Sequence, residues 1–283
     1  MNGEPDRAGK AAGIEPFVSV EHIVKRFTTA DGSLVAVDDV SFSVARGEFV
    51  SLIGPSGCGK STLFNIIGGL LADYDGAIRV GGEAIRGTHG EIGMVFQEES
   101  TFPWRNVLEN VAFPLEIAGV PKGERHERAR HFIDLVGLGG FERRQPSELS
   151  GGMRQRVAIA RTLAAAPQIL LMDEPFAALD EQTRLLLGDK VLQIQQTLRQ
   201  TTLLITHNIT EAVQLSDRII VMTYRPGRVK RIVDIDLPRP RTSAVVSSTA
   251  FGRHVAEIWN DLREEASRGM RDDERQLRGG AER

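Results

Sequence analysis

Gly54-Pro55-Ser56-Gly57-Cys58-Gly59-Lys60-Ser61 constrains the fold of this chain more than any other stretch. A glycine-rich run closed by Gly-Lys-Ser fits the pattern of a phosphate-binding loop, and that pattern works only between a strand and a helix. Both neighbours are present: residues 48–53 read as a buried strand entering the loop, and residues 61–67 as a helix leaving it. Gly54, Gly57 and Gly59 let successive backbone N–H groups turn inward, while the helix directs the positive end of its dipole at the same point. Lys60 is placed to bridge terminal phosphates and the Ser61 hydroxyl to ligate Mg²⁺. Thr62 opens the helix beside them and is counted with Pro55, Ser56 and Cys58 among the binding positions.

The chain's 283 residues can bury a sizeable core. With 35 basic against 38 acidic residues there is no broad basic surface, so no nucleic-acid partner is expected. The single cysteine, Cys58, permits no internal disulfide and suits a reducing compartment. No stretch approaches the roughly 18 apolar residues of a membrane span, and residues 1–16 lack a secretory signal's apolar run and read as a flexible tail. From Phe17 to Ile23, Leu34 to Val37 and Val40 to Val44 the pattern is of antiparallel strands. Phe27, just beyond the first of them, reads either as a core aromatic or as a face on which an adenine ring can stack.

Beyond the loop helix, residues 76–80 and 92–96 read as short strands, the second ending on Gln97, whose amide can reach a metal or serve as an ordinary solvated glutamine. Residues 98–146 turn helical, over 107–118 and 122–136, with an aromatic turn at Phe102 and Trp104 that is either core or a docking surface. Leu149-Ser150-Gly151-Gly152 opens a further helical run; Ser150 alone reads as an N-cap, and with the two glycines it forms a second anion site. The apolar strand 169–172 delivers Asp173 and Glu174 to a sheet edge, where one acid can serve Mg²⁺, usually through its water, and the next can deprotonate an attacking water. After a helix over 180–199, strand 201–206 ends on His207 at the same edge, where an imidazole can reach a γ-phosphate, whereas most isolated histidines do nothing of the kind. A helix over 209–215 and a strand over 218–222 complete an alternation that predicts a parallel sheet covered on both faces. A hairpin is expected around Pro226-Gly227. An amphipathic helix begins near Thr249, and the charge-dense residues 268–283 read as disordered.

Taken together, these motifs make the chain resemble the ATP-binding-cassette (ABC) ATPases over residues 17–242, with residues 243–283 as an appended helix and tail. The resemblance implies an α/β P-loop NTPase fold: a RecA-like, mostly parallel sheet with helices on both faces, an antiparallel β subdomain, and an inserted α-helical subdomain at about 98–160. It implies ATP and Mg²⁺ as ligands. Phe27 is then the adenine-stacking aromatic, Gln97 and Asp173 join Ser61 at the metal, Glu174 is the general base and His207 the switch histidine. Ala178-Leu179-Asp180 is the turn that communicates across a dimer, and Ser150, Gly151 and Gly152 complete the site of a second copy.

Finer detail resembles the ATPases of bacterial importers for nitrate, alkanesulfonate or taurine-like solutes. The residues that carry this are 149–156, with Met153 in place of the more widespread glutamine, Phe-Pro-Trp-Arg at 102–105, Arg-Pro-Gly-Arg at 225–228, and 237–241. That family works at the cytoplasmic face of the inner membrane. It engages an integral-membrane permease, here through Phe102 to Val107, and acts indirectly with a periplasmic or surface substrate-binding protein. An importer of a thiamine precursor or an aromatic acid is the near alternative. A non-transport cassette protein is the distant one, since such proteins carry coiled-coil insertions or two cassettes in one chain. Cys58 occupies a variable loop position, where a thiol reagent is expected to block ATP binding and ATP to protect.

Overall fold

The computed structural model describes residues 16–29, 32–98 and 100–280. The tail expected over residues 1–16 falls almost wholly outside them. Two sheets form the scaffold. The smaller is antiparallel with strand order β2-β1-β4-β5, built from β1 (Val18–Thr29), β2 (Gly32–Val44), β4 (Asp75–Val80) and β5 (Glu83–Ile85). The larger comprises β3 (Phe49–Ile53), β6 (Ile92–Val95), β7 (Ile169–Asp173), β8 (Thr201–Ile205), β9 (Arg218–Met222) and β10 (Val229–Asp234) in the order β10-β9-β3-β8-β7-β6. Its strands are parallel except β10, which returns antiparallel along β9.

The central strands β3, β7 and β8 are buried along their whole length, which their near-continuous apolar sequences require of a sheet covered on both faces. Their side chains divide by alternation. Val50, Leu52, Ile169, Leu171, Leu203 and Ile205 face one core, while Phe49, Leu170, Met172 and Leu204 face another. The first core lies between the two sheets and holds helix α1 (Lys60–Ile67) through Leu63, Phe64, Ile66 and Ile67. The second is roofed by α2 (Val107–Ile117), α3 (Lys122–Leu135), α4 (Gly151–Ala164) and α5 (Glu181–Leu198). At the β9–β10 edge, α6 (Ile209–Leu215) and α7 (Thr249–Gly280) enclose a third, which includes Ile53, Val213, Phe251 and Ile258.

Several sequence readings change. Leu34–Val37 and Val40–Val44 belong to one strand, β2, whose pairing with β1 absorbs register shifts between Val20 and Arg26. Phe27 therefore lies inside β1, opposite Leu34, and not beyond it. The stretch from Arg268, expected to be disordered, continues α7 as far as Gly280. Local pairing accounts for its start: the Arg268 guanidinium meets Glu265 at 3.1 Å, and Arg271 Nε donates to the Ser267 carbonyl at 3.0 Å. Gly269 also lets the helix lie against the Tyr224 ring, 2.8 Å from where a Cβ would stand. Residues 281–283 lie outside the described ones.

Candidate functional site

Register brings the site together. Ile205 pairs with Leu52 of β3 and with Asp173 of β7, and Val95 of β6 pairs with Met172. The carboxyl ends of these strands are thus level, and whatever follows each of them emerges along one edge, the side on which open α/β sheets bind ligands. There a cavity of about 630 Å³ is lined by Phe27, residues 34–36 of β2, the glycine-rich loop, Gln97, Glu174, His207 and Arg225.

The loop is shaped for anions. Gly57 and Gly59 take φ values of +72° and +92°, which side-chain-bearing residues rarely adopt. Gly59 is also the N-cap of α1 and offers no side chain to its first N–H groups, which are left for a ligand. Lys60 is buried at the helix start, its Nζ donating to the carbonyls of Gly54 at 2.8 Å and Pro55 at 2.9 Å. Gly54, Ser56, Gly57, Gly59, Lys60, Ser61 and Thr62 face the cavity; Pro55 and Cys58 do not. Cys58 points into the core between the sheets with its thiol fully buried, and burial pushes its pKa up. The expectation that a thiol reagent would report on this site is corrected: a buried, protonated thiol is inert.

Opposite the loop, three polar side chains converge. Glu174 Oε2 lies 3.1 Å from His207 Nδ1 and accepts from Gln97 Nε2 at 3.4 Å. Glu174 holds φ at +46°, in the left-handed region, and its N–H is tied to the Ile205 carbonyl at 2.9 Å. Strain of this kind costs about 1–3 kcal/mol and persists where surrounding structure imposes it. Asp173 is buried, and desolvation raises its pKa, with the Ser61 hydroxyl hydrogen-bonded to it acting the other way. Its Oδ1 is buried and has no hydrogen-bond partner. An orphaned carboxylate oxygen beside a hydroxyl suits a hard cation, and a dication there would favour the ionised form. Ser61 and Gln97, with Asp173 acting through water, are the residues that would hold Mg²⁺. That ion would neutralise charge on the phosphates. Glu174 is placed to take the proton of an attacking water, with His207 and Gln97 fixing its carboxylate.

The residues on either side of His207 are tied together. Thr206 Oγ1 donates to Glu211 Oε2 at 3.2 Å and accepts from Asn208 N–H at 3.0 Å. Glu211 is buried with Oε1 unpaired, and burial pushes its pKa up to about 8. Nearby, Arg184 binds the carbonyls of Phe176 and Leu179, fixing the turn that follows Glu174. Neither Glu211 nor Arg184 carried a signal in the sequence, since nothing there showed which polar residues of α5 and α6 are buried. Arg225 was noticed only as part of a motif, and the structure puts it on the cavity wall.

Ser150, Gly151 and Gly152 are absent from this cavity. Ser150 caps α4, its Oγ accepting from Met153 N–H at 3.3 Å. Gly152 packs against the 178–179 turn, where a Cβ would come within 2.9 Å of Leu179.

Comparison with known proteins agrees with this geometry. A family model described as ABC transporter matches residues 37–177. An uncharacterised ABC transporter ATP-binding protein of Methanocaldococcus jannaschii is 46% identical over 90% of this chain and 96% of its own length. The nitrate transport protein NasD of Klebsiella oxytoca is 43% identical over 86% of this chain and 95% of its own. Among solved structures, a dimeric ATP-binding cassette in a post-hydrolysis state with ADP and Pi superposes with a TM-score of 0.71 at 32% identity, covering 78% of this chain and all of that one.

Two outcomes are expected. Glu174→Gln lowers ATP turnover by about 10²–10⁴-fold with nucleotide affinity retained, measured by phosphate release and calorimetry; unchanged turnover would remove Glu174 as the base. For Glu211, the folded pKa lies above the unfolded one, so its stabilising contribution is full below about pH 4.5 and is lost as pH rises toward about 8. Glu211→Gln should flatten this dependence, gaining on the wild type by about a few kcal/mol between pH 5 and pH 9 in urea melts.

Proposed function

Because the chain belongs to the ABC transporter family of ATPases, we propose that it is the ATP-hydrolysing subunit of a bacterial importer for a small anion. The observation that carries this reading is the division of the nucleotide machinery into two parts. The phosphate loop, Gln97, Glu174 and His207 share one cavity, with buried Asp173 bonded to Ser61 at its wall, while Ser150 to Gly152 stand outside it at the start of α4, where a helix leaves N–H groups free. Half a site suits a protein that works as two copies, each supplying its signature segment to the other's nucleotide. Dimerisation of the related cassette bound to ADP and Pi supports the same arrangement. ATP then favours the closed dimer and hydrolysis releases it, so nucleotide state becomes mechanical work.

The second partner is an integral-membrane permease, with a substrate-binding protein beyond it. Among the described residues no helix is long and apolar enough to cross a membrane. Translocation is the permease's part in this reading, with the subunit held peripherally at the cytoplasmic face. The segment from Phe102 to Val107 is the contact we assign to the permease. Buried Asn110 ties it down, accepting from Phe102 N–H at 2.8 Å and donating to the carbonyls of Phe102, Arg105 and Asn106. Arg161 stacks on Phe102 and donates to Ser100. On this rigid base Trp104 stands 74% exposed, stacked on Phe102 at 5.6 Å. An immobile, exposed indole is a low-entropy anchor for a helix of a partner. Gln97, which touches Glu174, lies a few residues before this turn and can report nucleotide state to it.

For the solute, likeness to a nitrate transport protein supports a small oxyanion, with nitrate first and alkanesulfonate or taurine after it. Uptake of each, measured in cells carrying the whole transporter, tests the class; uptake of none would remove it. Trp104→Glu should abolish uptake and leave turnover of the isolated chain within about twofold, since the residue lies outside the cavity. Ser150→Arg should reduce turnover to background with nucleotide binding nearly intact. Equal loss of both would count against a shared site.

A further inference from the structure

The turn Arg225-Pro226-Gly227-Arg228, which hydrolysis as described leaves unused, is fastened to the phosphate loop and to β2 at once. Gly227 N–H donates to the Ala36 carbonyl at 3.1 Å, and its own carbonyl accepts from Asp38 N–H at 3.0 Å. On the other side, a Cβ at Gly227 would stand 1.9 Å from the Cys58 carbonyl oxygen, so only glycine permits this approach. Within the turn, Thr223 N–H donates to the Arg228 carbonyl and Thr223 Oγ1 to that of Pro226, both at 2.9 Å. Arg228 Nε pairs with Asp38 at 2.9 Å. The mount is rigid, and all its fastenings leave one long side chain over.

That side chain is Arg225. Its Nε donates to the Gly57 carbonyl at 3.0 Å, and the guanidinium lies so close over Gly57 that an added Cβ would come within 2.4 Å of Nη2. It lines the same cavity as Lys60, Gln97 and Glu174. Among the described residues no carboxylate pairs with it; its remaining contact is a distant one over the Tyr224 ring, at 5.9 Å. An uncompensated guanidinium with two N–H₂ groups uncommitted, facing a cavity built for polyphosphate, matches phosphate oxygens in both charge and shape.

We propose that Arg225 is a further nucleotide-contacting residue, which donates to a non-terminal phosphate of the bound nucleotide. The inference rests on nucleotide occupying this cavity. Placement decides which phosphate: Arg225 reaches the loop at Gly57 from a turn bonded to the β2 wall, on the Phe27 side. Glu174, Gln97 and His207, which attend the terminal phosphate, emerge from β6, β7 and β8. The contact is therefore made to ADP as much as to ATP.

Calorimetry with ADP and with a non-hydrolysable ATP analogue, on the full chain, tests it. Arg225→Ala should weaken both by about tenfold and raise KM for ATP similarly with kcat within about twofold, and Arg225→Lys should fall between. The apo melting temperature should barely move, since the side chain is exposed and gives up only the Nε bond to the Gly57 carbonyl. Affinities within about twofold of wild type, tightening, or a loss confined to the ATP analogue would overturn the contact. So would a loss matched by a lower apo melting temperature. Lys60→Ala, run alongside, separates the two readings: if it leaves nucleotide binding intact, the cavity itself is misassigned and the proposal falls with it.

Discussion

Ile205, the last residue of β8, pairs with Leu52 on one side and with Asp173 on the other, and its carbonyl accepts the Glu174 N–H at 2.9 Å. The level register that these bonds impose is the constraint on which the rest depends. Because strand side chains alternate between faces, a slip of one residue in β7 or β8 would exchange the faces of their apolar side chains and carry Glu174 or His207 away from the phosphate loop. Five consecutive buried residues in each of β3, β7 and β8 make such a slip prohibitive. The chemistry of the edge is thereby guaranteed by packing well below it.

The same logic explains how a glycine-rich loop can be rigid. Helix α1 is gripped between two sheets by Leu63, Phe64, Ile66 and Ile67. The loop ahead of it is backed by β2, where a Cβ on Gly59 would meet the Ala36 carbonyl at 2.7 Å. The turn at 225–228 presses on it from the third side, against Cys58. Glycine supplies the conformations, and the neighbours remove the freedom that glycine brings. Preorganised N–H groups then need little rearrangement when a polyphosphate enters.

Polar burial divides the molecule's working parts from its frame. Asp173, with an orphaned oxygen, is left wanting a cation, and Glu211, similarly orphaned, is left wanting a proton. Both sit beside the strand ends that carry Glu174 and His207. The Asn110 and Arg161 networks are better satisfied, and they hold Trp104 out toward solvent. At these places unmet demand lies beside the reacting edge and met demand keeps the surface turn in shape.

The sequence by itself determined the family and the alternation of strands and helices, and through that resemblance it pointed to Lys60, Gln97, Asp173, Glu174 and His207. These are local matters: a glycine-rich run between a strand and a helix can take few other meanings, and an acid pair after four apolar residues becomes specific with that run upstream of it. What lies far apart in the chain was not legible. That Leu34 to Val44 form one strand, that Cys58 turns inward, that Glu211 is buried against Thr206 and that Arg225 lies on Gly57 were decided by tertiary structure alone. The reason is physical: the direction of a side chain and its access to water depend on which distant segments pack against it. For Arg225 that segment lies 168 residues away in the chain.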